Sequence, residues 1–457
     1  MSRQVVYFYL GQVRKMEVPD IINTILDRLQ AAGYEAYLVG GAVRDMCLGR
    51  KPTDWDVGTS APPDTLRCLF HDMRHFGLKE CTITLVRSGR HCEVTTFRGQ
   101  EEDAKTLQGD LGHRDFTIDA MAYDIHGDRL IDPFGGRHDL IKRKVRAVGN
   151  PRERFLEDPL RLVRAARLAA ELDFRIDPGT LKAMSDMAEE LDKVARERVR
   201  DELAKILMSK RPSRGLKILA KTDLLKTFLP ELLEGTGKRQ NVYHGYTIFR
   251  HIMETIDRVE PTPVLRLAAL FHDIAKPRVR KKISREYRFL GHERMSAELA
   301  REIMERLRFG KGIIAEVTHL ALLHMINYHS GWSDRAVRRF LIRVGPEHVG
   351  PLLALREADL IAHGRDNQSL EGLHELKKRI AKIHESAPPL TPRDLAVDGH
   401  TVMEILDLDE GPEVGRILKD LMEKVIENPE LNTRSGLISL LKKIRAEDKA
   451  MGMPGKG

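Results

Sequence analysis

The chain has 457 residues, too many for one typical domain, and this length suggests about three domains. It contains 42% hydrophobic and 32% charged residues with a formal net charge of +8, a balance that favours polyanionic partners. The sequence contains no run of about 18 apolar residues, so no transmembrane helix is expected. The four scattered cysteines, without a CxxC pair, predict reduced thiols in the cytoplasm rather than a zinc site or disulfide framework.

The first part of the chain is predicted to be mixed α/β. Residues 22–33 have the apolar spacing of an amphipathic helix, YEAYLVGG is typical of a strand that ends in a turn, and DTLRCLFHDM is typical of a helix. The runs CTITLVRSG and HCEVTTFRG predict a β-hairpin. After this part helical periodicity dominates, interrupted at 234–241 and 386–394, which we interpret as linkers or inter-domain turns.

The sequence LVGGAVRDMCLGRKPTDWDVG carries the first chemical motif. Asp54 and Asp56 are one residue apart, so on a strand both carboxylates face one side, where they could hold Mg²⁺ against a nucleoside triphosphate. Gly40 and Gly41 let backbone N–H groups approach phosphate, and Arg44 supplies a fixed positive charge. Each piece alone is typical of an ordinary turn. Their combination in strand–turn–helix order predicts phosphoryl or nucleotidyl transfer.

Three further pieces of sequence add charged candidates. Glu93, in HCEVTTFRG, is placed to join the two aspartates in one carboxylate cluster. In HRDFTIDAMAYD, Arg114 beside an aspartate could present a phosphate contact, or the pair could mark an ordinary helix start. ERFLEDPLRLVRAARLAAEL is predicted to be one helix with Asp158, Arg161 and Arg164 spaced at i, i+3 and i+6. That spacing suits reading of the Watson–Crick edge of a base, and a solvated salt-bridge face is the alternative.

These blocks, with RERVRDELAKIL, resemble the bacterial class II tRNA nucleotidyltransferase and poly(A) polymerase family. The resemblance implies an α+β multidomain protein with a polymerase-β-like nucleotidyltransferase head of mixed sheet and helices, followed by an all-helical neck, an HD-type body and a tail. The expected boundaries are 1–20 for an N-terminal extension, 21–146 for the head, 147–233 for the neck, 234–385 for the body and 386–457 for the tail.

The resemblance also implies roles for residues already named. The glycine pair, Arg44 and Arg114 would bind triphosphate or sugar, the two aspartates with Glu93 would hold Mg²⁺, and the neck acid with its two arginines would select CTP or ATP. The motif HRDFTIDA departs from the family pattern, because His113 and Asp119 stand where arginine and asparagine are usual.

The segment before Arg114 bears on which nucleotides are added. Only the fifteen residues from Gly99 to His113 separate EVTTFR from this arginine, whereas full CCA-adding and poly(A)-adding relatives usually carry a longer flexible loop there. A short loop resembles the branch that adds CC and leaves the adenosine to a separate A-adding enzyme. We therefore expect addition of CC to tRNA from CTP, with full CCA addition using ATP, or poly(A) polymerase activity, as alternatives.

The body carries a second group of candidate ligands. They are His251, His272, Asp273 and Asp359, with His292, His319 and His324 as further candidates. A lone buried histidine is usually a core residue, but this order is that of HD phosphohydrolases, whose imidazole and carboxylate ligands suit a divalent metal. A second metal here, with hydrolysis of RNA phosphomonoester or cyclic phosphate ends, is the alternative activity.

The segment from PRDLAVDGH onwards resembles the family's helical tail, which grips the tRNA elbow. Its lysines and arginines would contact phosphates without reading sequence, and helix packing with solvated charges is the alternative. The expected partners are therefore the 3′ end and elbow of tRNA, CTP and ATP, with no membrane. A non-catalytic RNA-binding protein is an alternative of a different class.

Overall fold

The computed structural model describes residues 4–9, 12–79, 81–87, 89–98, 105–240, 245–284, 286–363, 367–385 and 394–450. The chain forms two compact units: unit 1 is Met1–Leu233 with Glu305–Phe309, and unit 2 is Glu234–Met304 with Gly310–Gly457. The start of the short segment before Arg114, at 99–104, and nearly all of the interpreted linker at 386–394 lie outside the described residues.

Unit 1 contains a hairpin and a seven-stranded mixed sheet. The hairpin strands are β1 (Gln4–Tyr9) and β2 (Gln12–Glu17). The sheet strands are β3 (Ala36–Val39), β4 (Asp56–Thr59), β5 (Arg74–Lys79), β6 (Thr82–Arg87), β7 (Arg90–Thr96), β8 (Ala122–Asp124) and β9 (Arg129–Ile131). Their order is β5-β6-β7-β4-β3-β8-β9, with β4 and β7 parallel and the other neighbours antiparallel. The predicted mixed sheet and the β6–β7 hairpin are confirmed, whereas β5 was not predicted.

The register of β4 against β7 places acidic side chains on one face of the sheet. Asp56 is opposite Glu93, and Val57 is opposite Val94. Since successive side chains of a strand point to opposite faces, the two valines are fully buried while Asp56 is half-buried and Glu93 is exposed. The same alternation that builds the core therefore presents the carboxylates outside it.

Helices make up most of the rest of unit 1 among the described residues. They are α1 (Asp20–Ala31), α2 (Gly41–Cys47), α3 (Pro63–Leu69), α4 (Leu107–Gly112), α5 (Gly136–Ile141), α6 (Pro151–Glu157), α7 (Arg161–Leu172), α8 (Pro178–Asp186), α9 (Arg196–Met208), α10 (Pro212–Lys221), α11 (Leu225–Phe228) and α12 (Pro230–Leu233). A short parallel pair, β10 (Lys144–Val145) and β11 (Arg175–Ile176), lies among them.

The expectation of one continuous helix over ERFLEDPLRLVRAARLAAEL is wrong. The segment forms two helices, α6 and α7, because Asp158 has an extended backbone with φ −147° and ψ 99°. Proline disfavours the helical conformation of the residue before it, so Pro159 forces this break. Asp158 therefore does not share a helix with Arg161 and Arg164, and spacing along a single helix does not describe their arrangement.

Unit 2 is helical apart from one short hairpin among its described residues. Its helices are α13 (Ile248–Arg258), α14 (Pro263–Phe271), α15 (Lys276–Val279), α16 (His292–Arg306), α17 (Lys311–Leu323), α18 (Asp334–Val344), α19 (Pro346–His363), α20 (Asn367–Glu385), α21 (Gly399–Leu406), α22 (Pro412–Glu427) and α23 (Arg434–Ala450). The hairpin pairs β12 (Lys281–Ile283) with β13 (Glu286–Arg288). Within the described part of the chain, none of the helices is both long and apolar enough to span a bilayer.

Candidate functional site

A cavity of about 350 Å³ in unit 1, the head cavity, gathers most of the predicted residues of the first site. Its lining residues are Gly40, Gly41, Arg44, Asp45, Thr53, Asp54, Asp56, Arg98, Arg114, Asp115, Asp119, Arg164 and Arg167. Seven of the ten residues predicted for this site are among them. The other three, Glu93, Asp158 and Arg161, lie outside the lining.

Gly40 is the point where backbone and charged side chains approach most closely. Its φ is +73°, and a Cβ built on it would lie 2.5 Å from Arg114 Nη1 and 3.2 Å from Asp56 Oδ2. Both the left-handed backbone and this proximity require glycine. On its other side the Arg114 guanidinium donates to Asp110 Oδ2 at 3.3 and 3.4 Å, and Asp110 is buried. Arg114 is thereby fixed against the cavity wall.

Arg44 is held by two carboxylates. Its Nη1 donates to Asp119 Oδ1 at 2.7 Å, and its Nε donates to Asp45 Oδ1 at 3.0 Å. Burial disfavours the charged guanidinium, but these two carboxylates outweigh burial and raise the pKa of Arg44 above its ordinary value. Arg44 therefore presents a permanent positive charge, and Asp119, one of the two departures from the family pattern, is one of the groups that orient it.

Asp54 and Asp56 both line the head cavity but in different surroundings. The Asp54 side chain is 77% exposed, whereas Asp56 is half-buried. Burial, opposed by Arg114 and reinforced by the carboxylates of Glu93, Asp54 and Asp119, raises the pKa of Asp56 to about 6. The raised pKa shows that burial, and to a lesser degree the neighbouring carboxylates, disfavour the ionised form of Asp56. Hard oxygen donors with excess negative charge fit a divalent cation such as Mg²⁺.

Asp115 connects the HRDFT segment to the first turns of α7. Its Oδ1 accepts a hydrogen bond from Arg161 Nε at 2.6 Å, and its Oδ2 lies 2.8 Å from Arg164 Nη1. Arg161 also donates to Glu157 Oε2 at 2.7 Å and to two backbone carbonyls at 2.9 Å, so it is buried and heavily bonded. Arg164 is 38% exposed and faces the cavity. The sequence predicted Asp115 only as the acid beside Arg114 or as a residue near a helix start, and its contacts with the two arginines of α7 appear only in the tertiary structure.

Asp158 forms its hydrogen bonds with groups that do not line the head cavity. Its Oδ1 accepts from the Leu160 N–H at 3.2 Å, and its Oδ2 accepts from Arg198 at 2.8 Å. Arg198 belongs to RERVRDELAKIL, so two sequence motifs meet here.

Two arginines that line the head cavity were not predicted as site residues. Arg98 closes the EVTTFR run and Arg167 follows Arg164 by three residues on α7, and these positions are the signals that could have identified them.

A second cluster of ligand-type side chains lies inside unit 2. We call it the histidine–aspartate cluster, and its members are His251, His272, Asp273, His292, His324, Asp359 and His363. The first four-residue group (His251, His272, Asp273, Asp359) and a second group (Asp273, His292, His324) each bring ligand atoms within 4.8 Å of one another. The structure thus brings together six of the seven residues predicted from the sequence.

Two histidines depart from the sequence-based expectation. His319 does not join the cluster, because its Nε2 bonds to the Val344 carbonyl at 2.7 Å. His363 was missed although it lies four residues after Asp359 on α19, which places both side chains on one helix face. Its Nε2 is 3.2 Å from Asp359 Oδ1.

The electrostatics of the cluster suit a cation. Burial opposes ionisation of Asp273 and Asp359, but the surrounding histidines and, for Asp273, Lys276 outweigh it and hold both carboxyl pKa values well below the usual range. Burial also opposes protonation of His272, yet the two carboxylates raise its pKa to about 10. Burial lowers the pKa of His324 to about 4. Carboxylate oxygens with imidazole nitrogens form a donor set that suits divalent transition metals.

Comparison with known proteins places these features in a family. A model of the Poly A polymerase head domain matches residues 36–146, a model described as the probable RNA and SrmB-binding site of polymerase A matches 173–235, and an HD domain model matches 240–381. The head cavity residues up to Arg114 and Asp119 fall in the first match, and the histidine–aspartate cluster falls in the last.

Full-length relatives extend this result. A CC-adding tRNA nucleotidyltransferase of Thermus thermophilus is 34% identical over 411 residues, 86% of this chain and 90% of the relative. An A-adding tRNA nucleotidyltransferase of Deinococcus radiodurans is 34% identical over 409 residues, 85% of this chain and 91% of the relative. The crystal structure of the Bacillus stearothermophilus CCA-adding enzyme in complex with CTP matches with a TM-score of 0.69 and 29% identity, over 93% of this chain and 98% of that chain. The chain belongs to the class II tRNA nucleotidyltransferase family.

Proposed function

We propose that this enzyme adds cytidines from CTP to the 3′ end of tRNA and stops after CC. The observation that carries the proposal is the head cavity, which joins two carboxylates on and beside β4 to five arginines within one space of about 350 Å³. A triphosphate needs fixed positive charge and a divalent cation, and this cavity offers the residue types for both.

The triphosphate would lie against Arg44 and Arg114. Asp110 orients the Arg114 guanidinium, so little side-chain entropy is lost when phosphate oxygens bind it. Asp119 holds the Arg44 guanidinium and competes with phosphate oxygens for it. Gly40 leaves room beside Arg114 that any side chain would fill. Backbone of Gly40 and Gly41 is thereby open to the phosphates.

Asp54 and Asp56 would hold Mg²⁺, with Glu93 beside Asp56 on the neighbouring strand. When bound, the ion would supply Lewis-acid charge for in-line attack of a 3′-hydroxyl on the α-phosphate of CTP, with pyrophosphate as the leaving group. The residues themselves supply position: β4 fixes Asp56, and the exposed Asp54 can adjust to the ligand. The half-buried Asp56, held on β4, sets where the cation would bind.

Base selection would use Arg164, which faces the cavity, together with Arg161 and Asp158. Asp115 positions both arginines through its two oxygens. The donors of Arg161 are engaged by protein acceptors, so contact with a base requires exchange of at least one of these bonds. The residues proposed to select the base are therefore already hydrogen-bonded within the protein, rather than free to contact a base.

In this proposal, the restriction to CC follows from the shortness of the segment between β7 and α4. β7 ends at Thr96 and α4 begins at Leu107, so little chain is available there to reshape the site between CTP and ATP. The Thermus thermophilus relative carries the name CC-adding, which favours the same reading. The Deinococcus radiodurans relative, equally identical, is named A-adding, and this makes A addition the competing specificity.

The test uses labelled tRNA transcripts that end before CCA, after C and after CC, with Mg²⁺ and CTP, ATP or both. We expect extension to CC that stops even when ATP is present. Completion to CCA would replace the CC-only proposal, and extension of only the CC-ended transcript by ATP would assign A addition. A variant with Asp54→Asn and Asp56→Asn should extend none of them. Asp273→Asn, which changes unit 2 alone, should extend them normally.

A second candidate function belongs to unit 2. The buried histidine–aspartate cluster favours metal-dependent hydrolysis of RNA phosphomonoester or cyclic phosphate ends. Asp273→Asn should abolish release of phosphate from an RNA 3′-phosphate while the double head variant retains it. Loss in the head variant instead would place the hydrolysis in unit 1.

The remaining expectations are part of the same proposal. We infer that 21–146 acts as head, 147–233 as neck, 234–385 as HD body and 386–457 as a tail that contacts the tRNA elbow, with 1–20 as an extension. We expect the enzyme to work in the cytoplasm, and a separate A-adding enzyme to complete its product.

A further inference from the structure

The β12–β13 hairpin of unit 2 lies in a strongly basic stretch of sequence. Residues 278–290 include six arginines and lysines and one acid, Glu286. A surplus of this kind is usually a solvated surface, so the charge alone does not identify a binding site. The contacts of the individual cations separate those that the fold uses from those that it leaves to solvent.

Two of the cations attach the hairpin to the rest of unit 2. Arg278 donates to both carboxylate oxygens of Glu234 at 2.7 to 3.2 Å. Arg280 donates through Nε to the Arg239 carbonyl at 3.1 Å, and its guanidinium lies 3.4 Å from the centre of the Tyr287 ring. Bidentate pairing and stacking of this kind hold a planar guanidinium in one orientation. These two arginines therefore have structural roles.

Two other cations face each other across the hairpin. Lys281 is opposite Arg288 in the antiparallel register, and both side chains are exposed. Glu286 shares their face opposite Ile283, yet neither cation forms an ion pair within the described part of the chain. Like charges directly opposite each other destabilise an antiparallel pair. The hairpin thus carries a repulsion that an anion bound to both side chains would relieve.

The same face of the hairpin lines a cavity of about 210 Å³, the hairpin cavity. Its lining residues are Arg278, Val279, Lys281, Ile283, Arg288 and Leu290. Leu290 is 74% exposed and Ile283 is 41% exposed. A single exposed apolar side chain is ordinary, but these two line one concave space beside two cations. Apolar walls next to fixed positive charge suit a planar apolar group that carries a phosphate.

We propose that the hairpin cavity binds an unpaired nucleotide of RNA. The base would lie against Ile283 and Leu290, and the phosphates would contact Lys281 and Arg288. Proteins that bind single strands combine a basic surface for the backbone with side chains that contact the faces of the bases. Bases of a duplex are stacked within it, whereas unpaired segments present them to a protein.

RNA is favoured over a membrane by the shape of the surface. An anionic bilayer would supply negative charge, but its flat surface would not fill a cavity beside the hairpin. RNA supplies charge and a ring together, and tRNA is the substrate class in the names of the full-length relatives. The inference goes beyond the nucleotide addition proposed for unit 1 and does not depend on its specificity.

The test measures binding of the full chain to a fluorescein-labelled oligouridylate of about 12 nucleotides. Fluorescence anisotropy is recorded over a series of salt concentrations. Lys281→Gln with Arg288→Gln, the charge variant, should bind about tenfold more weakly or worse at low salt. The slope of log affinity against log salt should fall in magnitude by about 1.4, because each phosphate contact on a single strand contributes about 0.7. The charge variant should be at least as stable as the parent in urea, since a like-charge pair is removed.

The matched control for the charge variant is Lys378→Gln with Lys382→Gln. Both lysines are exposed on α20 of the same unit and do not line the hairpin cavity. This control loses the same net charge, so it should keep the parental affinity and salt slope if the contacts are local to the hairpin.

Leu290→Ser tests the base separately from the phosphates. It removes apolar contact area without changing charge, so affinity for the oligouridylate should fall severalfold while the salt slope stays unchanged. Binding of an RNA duplex of the same length should not change. Leu322→Ser is the control, because Leu322 is 41% exposed on α17 and does not line the hairpin cavity.

Three outcomes would overturn the proposal. Equal affinity and slope in the charge variant and its lysine control would reject the hairpin as an RNA site. Parental affinity in Leu290→Ser would reject the base position. Loss of binding to phosphatidylcholine vesicles containing phosphatidylserine, with RNA binding at the parental level in the charge variant, would assign the surface to a membrane.

Extension of tRNA with CTP distinguishes this proposal from the one for unit 1. At saturating tRNA the charge variant should keep the parental kcat, because its substituted residues lie outside the head cavity. A parent that failed to add CC but lost oligouridylate binding in the charge variant and in Leu290→Ser would reject the proposed function of unit 1 and support the RNA site of the hairpin.

Discussion

Arg161 Nε donates to Asp115 Oδ1 at 2.6 Å, and this contact joins the HRDFT segment to the first turn of α7. Both side chains are largely buried, with 9% and 13% of their surface exposed. An ion pair in such surroundings is costly to break from one side, because the remaining charge is left without a partner. The pair therefore fixes the segment that carries Arg114 relative to the segment that carries Arg164.

Asp115→Asn tests this link. The change removes the negative charge that positions both arginines of α7, so we expect the preference for CTP over ATP to fall by about tenfold or more, in line with the loss of a charge-assisted bond. The measurement is the ratio of kcat/KM for single-nucleotide extension with each nucleotide.

The matched control for that change is Asp173→Asn. Asp173 also contacts two arginines, Arg143 and Arg214, but it does not line the head cavity. It should keep the parental nucleotide ratio. An unchanged ratio in Asp115→Asn would remove Asp115 and its arginines from base selection.

Gly40→Ala is expected to abolish most activity without unfolding the protein. The new Cβ would lie 2.5 Å from Arg114 Nη1, so the guanidinium must move from the cavity wall. We expect kcat/KM for CTP to fall on the order of 10²-fold, the scale of losing one oriented charge in an active site. Steady-state extension of a CCA-lacking tRNA gives the value.

Gly33→Ala separates backbone strain from displacement of Arg114. Gly33 has a φ of +83° and no atom within 4 Å of its built Cβ, so alanine there costs about 1 kcal/mol of stability and leaves the cavity intact. Equal loss of activity in both variants would mean that strain rather than Arg114 governs the effect at Gly40.

Local patterns in the sequence predicted the elements of the head well. Alternating runs gave the β6–β7 hairpin, and the glycine pair gave the turn between β3 and α2. These predictions succeeded because strand alternation and turn chemistry are decided by neighbouring residues. The wrong prediction of one continuous helix over α6–α7 also concerns a local effect. The prediction relied on the spacing of charged residues and left out the effect of Pro159 on the residue before it.

Contacts between distant segments could not be read from the sequence. Asp115 meets Arg161 across 46 residues, and Asp119 meets Arg44 across 75. Neither pairing has a local signature. His363 differs, because its position one turn after Asp359 is a local signal that could have been used. The candidate residues were thus largely predictable, while the network that orients them required tertiary structure.

Asp119→Asn should strengthen CTP binding. Asp119 Oδ1 accepts from Arg44 Nη1 at 2.7 Å and so competes with a triphosphate for the same donor. An amide competes less than a carboxylate, and we expect KM for CTP to fall severalfold with little change in kcat. Asp72→Asn, which alters a surface pair with Arg28 at 2.6 Å, is the control and should leave KM unchanged. A higher KM in Asp119→Asn would show that Asp119 mainly orients Arg44.

Asp56→Asn should make the metal-free protein more stable near neutral pH. The pKa of Asp56 is raised from 3.8 to about 6 in the folded state, so folding favours the protonated form, and stability declines as the pH rises from 3.8 through about 6. Asparagine does not titrate, so the variant lacks this decline in stability with pH. In chelator, we expect the variant to gain on the order of 2 kcal/mol at about pH 8 relative to the parent, and less at about pH 5.

Urea unfolding followed through the transition of unit 1 measures this difference, and Asp54→Asn is its control. Asp54 is 77% exposed, so replacing it with asparagine should change the metal-free stability little at either pH. Added Mg²⁺ should reverse the order, because the parent binds the ion through the ionised Asp56 and gains stability by mass action, whereas Asp56→Asn does not. If Asp56→Asn were less stable than the parent in chelator, the carboxylate would be serving the fold, and its place as a strained metal ligand would have to be given up.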